Sequence, residues 1–98
     1  MDKHLVLHCL DLMNKEIQLA ILRKDEVFYN NGYKKVVDKT IEMIKTNQNI
    51  ITILNQLKEY KKEGSMHQDS LFSNGQYDGA NEILGILYDH IGEDNYDE

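Results

Sequence analysis

The sequence predicts an all-α domain of three to four helices. Three observations carry that expectation: proline is absent from all 98 residues, apolar residues recur at helical spacing along most of the chain, and polar breaks separate the stripes. Ninety-eight residues suffice for one hydrophobic core and not two, so residues 1–92 read as a single domain and 93–98 as an acidic C-terminal tail. At 41% hydrophobic and 29% charged residues the chain has the balance of a folded globular protein.

The first stripe comprises Leu5, Val6, Cys9, Leu10, Leu12, Met13, Ile17, Ala20 and Ile21 on one broad face, which Val27 and Phe28 rejoin. Interrupted only by Lys24, it predicts one long helix over about 3–29, frayed near Asp25 and stopped by Asn30-Asn31-Gly32 in a left-handed turn. A β-hairpin over 26–36 is the alternative, with Val27-Phe28-Tyr29 turning at Asn31-Gly32. The residues beyond the turn argue against it, because Tyr33, Val36, Val37, Ile41 and Ile44 do not alternate but follow helical spacing.

A second helix is expected over about 33–46. The stripe Ile50, Ile53, Leu54, Leu57 and Tyr60 is rotated from it by roughly 120°. The chain therefore either breaks at Thr46-Asn47-Gln48-Asn49, with Thr46 or Asn47 capping the next helix, or continues and changes neighbours; the break is favoured. Lys58, Lys61 and Lys62 before Gly64 suit a helix C-terminus. Ser65 to Asp69 reads as a loop. Ser73 and Gln76 stand at capping-box spacing, and Ala80, Ile83, Leu84, Leu87 and Ile91 form the apolar face of a last helix ending at Gly92.

Charge is unevenly spread. Residues 1–62 hold all 11 Lys and Arg against 8 acids, net +3; residues 63–98 hold 9 acids and no base, net −9. On the last helix Asp78, Glu82, Asp89 and Glu93 share one side, opposite the apolar face. Asp78 and Glu82 repel at i, i+4, and Asp89, Glu93 and Asp94 crowd the end of the helix where its dipole disfavours anions. The face is read either as a solvated surface, as one resting on the basic surface of the rest of the chain or of a twin subunit, or as a docking site for a basic partner.

Little points to catalysis. His4 and His8 stand at i, i+4 on a polar face without a third ligand, so no metal or other cofactor is expected. Cys9 lies on the apolar face as an unreactive thiol, and a lone cysteine suits a reducing cytoplasm. Ser65, His67, Asp69, Ser70 and Ser73 lack the strained turn of a hydrolase nucleophile. Gly75 and Gly79 mark a close approach of a neighbouring backbone or, with the tyrosines, a contact surface. Direct nucleic-acid binding is not expected, since the lysines at 34, 35, 39 and 45 are interleaved with Asp38 and Glu42. No apolar run is long enough to span a membrane, and the N-terminus lacks a signal-peptide pattern.

The resulting expectation is a non-enzymatic cytoplasmic binding protein that uses Tyr77, Asp78, Glu82, Tyr88, Asp89, Glu93 and Asp94 against a basic protein surface. The size, and a bias to Lys, Ile and Asn with Arg23 the lone arginine, resemble a small phage or mobile-element accessory protein, such as an inhibitor of a nucleic-acid-handling or defence protein. The alternative is a homo-oligomeric assembly protein, a homodimer being the simplest form.

Overall fold

A computed structural model describes residues 1–91. Four helices run α1 (Lys3–Leu22), α2 (Val27–Lys45), α3 (Ile50–Ser65) and α4 (Leu71–Ile91), with no strand among the described residues. The hairpin over 26–36 is therefore absent, and those residues are mostly α2.

The expected helix over 3–29 is two helices. α1 closes with the two hydrogen bonds of a Schellman motif, Asp25 N–H to the Ala20 carbonyl at 2.9 Å and Lys24 N–H to the Ile21 carbonyl at 3.0 Å. The left-handed position of that motif is Lys24, at φ 62°. Glycine ordinarily fills it, so the sequence marks this stop only by the polar interruption at Lys24-Asp25. Glu26 is left-handed as well, at φ 41°, and starts α2 with no side-chain cap. Lys24→Gly removes the steric cost of a Cβ there and is expected to raise stability by about 1 kcal/mol, read as a higher melting temperature. A neutral or lower value would show that the turn is not strained.

The break between α2 and α3 falls where expected, with Asn47 at φ 58° as the left-handed residue. Gln48 N–H to the Met43 carbonyl and Asn47 N–H to the Ile44 carbonyl, both 3.1 Å, repeat the Schellman pattern. The cap of α3 is Asn49, whose side chain accepts the Ile51 N–H at 2.8 Å, in place of Thr46 or Asn47. Before α4 the Ser70 hydroxyl accepts the Ser73 N–H at 3.3 Å. The cap is thus Ser70 and not Ser73, which leaves Gln76 to turn inward.

The packing differs from a square four-helix bundle. α2 and α4 form the central pair and run parallel, with Tyr29 beside Gly75 and Tyr33 beside Gly79. α3 lies antiparallel along the far side of α4, and α1 lies antiparallel along α2 and barely touches α4. Two glycines permit the central approach. A Cβ on Gly75 would overlap the Tyr29 carbonyl, within 2.8 Å of its carbon, and one on Gly32 would overlap the Phe72 carbonyl in the same way. Gly32 is therefore inside α2 and does not stop a helix. Gly64, likewise, is buried within α3 against Ser73 and Tyr77.

The core joins Val6 and Leu10 of α1, Val36, Val37 and Ile44 of α2, Ile53 and Leu57 of α3, and Ala80, Ile83 and Leu87 of α4. Gln76 is buried among them at 4% exposure and is fully used. Its Nε2 donates to the Tyr60 carbonyl at 2.9 Å and its Oε1 accepts from Lys35 Nζ at 3.0 Å. The same ammonium lies 5.5 Å from the Tyr60 ring and 5.8 Å from the Phe72 ring, so one polar cluster ties α2, α3 and α4 together. The broad apolar face expected on α1 is split. Val6, Leu10 and Ile17 are buried, whereas Leu5 and Leu12 are exposed, as are Phe28 at the start of α2 and Leu19, which lies outside that stripe.

Candidate functional site

α4 presents its polar side to solvent because its opposite side supplies much of the core. Asp78, Glu82 and Asp89 are exposed on that outer side, in the arrangement their spacing predicts. Glu93 and Asp94, also expected there, lie outside the described residues. The ion pairs among the described residues are Arg23–Asp25, Lys34–Asp38 and Lys39–Glu42, all within the first half of the chain. None joins a base to an acid of α4. Of the lysines beside α4, Lys35 is engaged on Gln76, and Lys61 on Asn81 Oδ1 at 3.0 Å and over the Tyr77 ring at 5.4 Å, while Lys58 lines a groove with Glu82 and Asp89 without an ion pair to either.

The tyrosines divide. Tyr77 and Tyr88 are half-buried on the flank of α4 that faces α3, and Tyr88 packs against the core. They border the acidic face from that side. Between α3 and α4 an open groove of about 630 Å³ has Lys58 and Lys61 on one wall and Glu82, Tyr88 and Asp89 on the other.

The opposite border is formed by two α2 residues that sequence reasoning did not place here. Tyr29 donates its hydroxyl to Asp78 Oδ2 at 2.5 Å, and Tyr33 stacks at a tilt on Tyr29 with ring centres 6.3 Å apart. Burial, reinforced by the Asp78 hydrogen bond and charge, holds the Tyr29 hydroxyl well above the usual tyrosine value near 10. Tyr33 is pushed up to about 12, first by burial and then by the negative charges of Glu82 and Asp78. Their i, i+4 spacing is the signal in the sequence, but a helix stop expected at Gly32 divides it between two segments.

These shifts have a consequence for stability. A folded-state value raised above the unfolded one favours the neutral phenol in the folded chain. The contribution is complete below pH 10 and is lost as the pH rises through 12, because the unfolded chain ionises first. Stability measured by urea titration is expected to decline from about pH 10 upward, and Tyr29→Phe with Tyr33→Phe is expected to flatten that decline. An unchanged slope in the double variant would contradict the assignment.

His4 and His8 are exposed, and no group of three or more His, Cys, Asp or Glu among the described residues is arranged to hold a metal ion. Ser70 caps α4, and the Ser65 hydroxyl donates to the Lys62 carbonyl at 2.8 Å, so both serve the backbone. Cys9 is half-buried, less enclosed than its place on the apolar stripe implied. Gly75 and Gly79 are covered by α2 and do not form an external contact surface. No helix among the described residues is long and apolar enough to cross a membrane. No known protein family, curated protein or solved structure matches the chain.

Proposed function

We propose that this is a non-enzymatic binding protein that docks the outer face of α4 on a basic surface of a partner protein. One observation carries the reading: Asp78, Glu82 and Asp89 stand exposed along one helix face, and among the described residues no Lys or Arg forms an ion pair with them although the chain holds 11. The Asp78–Glu82 repulsion left in the free protein would be relieved by lysines or arginines arriving from outside. Tyr29 and Tyr33 on one border, and Tyr77 and Tyr88 on the other, offer the amphipathic rings that interfaces favour.

A surface that ordinarily holds nucleic acid has the charge this face requires, and occupying it would make the chain an inhibitor. Small phage or mobile-element proteins directed at nucleic-acid-handling or defence proteins fit that description. The cytoplasm, where such targets reside, is the proposed compartment.

The test is affinity capture from the native host with the wild-type chain and with Glu82→Lys/Asp89→Lys, whose exposed positions leave folding within about 0.5 kcal/mol of wild type. Circular dichroism controls for the fold. The wild type is expected to retain a basic protein that the variant loses, with retention falling as salt rises from about 50 to 200 mM. Equal retention by both chains, insensitive to salt, would sink the proposal.

A further inference from the structure

We propose that the outer face of α1 is a self-association surface on which a second copy of this chain lies antiparallel. The observation is a row of leucines at heptad spacing on the side of α1 turned away from the core: Leu5 is 46% exposed, Leu12 49% and Leu19 54%, continued by Leu22 at 68%. Val6, Leu10 and Ile17 already anchor α1 to the domain, so these leucines contribute nothing to that core. At a rise of about 1.5 Å per residue the row extends over about 25 Å, the length over which two helices pair.

Symmetry and charge together select the occupant. Leu5 and Leu19 are equidistant from Leu12, so a copy reversed about Leu12 sets Leu5 against Leu19 of the second copy, and Leu12 against itself. Asp2, Cys9, Glu16 and Arg23 share the flanking heptad position beside this row. A parallel copy would set this flank against the opposite flank of Met1, His8, Lys15 and Leu22, with Asp2 and Arg23 of the two copies at opposite ends, about 30 Å apart. The antiparallel copy sets this flank against itself and brings Asp2 beside Arg23 of the second copy at both ends. Arg23 is free to turn there, since its present partner Asp25 is 3.8 Å away and both side chains are exposed. The flank carries both signs of charge, which suits a copy of itself better than a strongly basic or acidic partner. Pairing through α1 leaves the outer face of α4 open, so this inference stands independently of the proposed function.

One helix face per copy falls at the small end of specific interfaces, below about 1,200 Å², and predicts dissociation on the order of micromolar. Sedimentation equilibrium from about 1 µM to about 1 mM is expected to show a monomer–dimer transition. Leu12→Glu, placing two carboxylates on the symmetry axis, is expected to weaken the dimer about 100-fold or more with unchanged helicity. In a Cys9→Ser background, Leu12→Cys is expected to form an intermolecular disulfide on mild oxidation. Wild-type Cys9 is not, because the antiparallel register sets the two sulfurs about 9 Å apart along the axis. A monomer throughout the range overturns the proposal, as does a dimer indifferent to Leu12→Glu. Efficient Cys9 cross-linking would overturn the antiparallel arrangement, and a monomer that co-sediments with lipid vesicles would give the face to a membrane surface instead.

Discussion

Replacing Gly75 by alanine is expected to cost the protein at least about 3 kcal/mol, a large share of the stability of a domain this size. A methyl in mid-helix normally gains about 1 kcal/mol over glycine by limiting the unfolded chain. Here it would overlap the Tyr29 carbonyl, a backbone atom that cannot move aside as a side chain does. α2 and α4 would have to separate, loosening Ala80 and Ile83 on one side and Val36 on the other. Gly85 provides the contrast within the same helix. It is exposed with nothing near its missing Cβ, so Gly85→Ala is expected to stabilise by about 0.5–1 kcal/mol. Urea unfolding of the two variants reads the difference directly, and equal midpoints would show that the central helix pair is not held at glycine distance.

Leu87→Ala is the second large effect, a loss of about 2–5 kcal/mol by chemical denaturation. Leu87 is fully buried on the side of α4 opposite the acidic face, within the core that all four helices share. Truncation leaves a cavity between helices whose other contacts hold them apart, so the site has little means of collapsing. The cost tests an assumption of the functional reading as well. α4 can expose its acids only because its inner side is fixed, and a loss below about 1 kcal/mol would mean that side is loosely held.

The helical class, the α2–α3 break and the inner face of α4 were legible because they depend on periodicity, which the chain writes plainly. The α1–α2 break was not, because its left-handed residue is Lys24 where glycine is the usual mark. The same rule misled at Gly32, a glycine present for the closeness of Phe72 and not for a turn. Position along a helical wheel also could not distinguish Leu12 from Leu10, since which part of a wide apolar face is covered depends on how many neighbours a helix has. α1 has essentially one.

The candidate site was half legible. The alignment of Asp78, Glu82 and Asp89 follows from spacing alone. That their charges go unpaired by the chain's lysines depends on tertiary packing, as does the border formed by Tyr29 and Tyr33. Gln76 illustrates the limit: it reads as a capping residue in the sequence, yet it joins three helices in the core.

The acidic face of α4 as a docking surface is tested most directly by following backbone amide resonances of the isotope-labelled chain while the basic protein recovered by capture is added. The largest shifts are expected at Asp78, Glu82 and Asp89, with smaller ones at Tyr29 and Tyr33 across the border. Shifts confined to the outer face of α1 or to α3, with residues 78–89 unmoved, would contradict it.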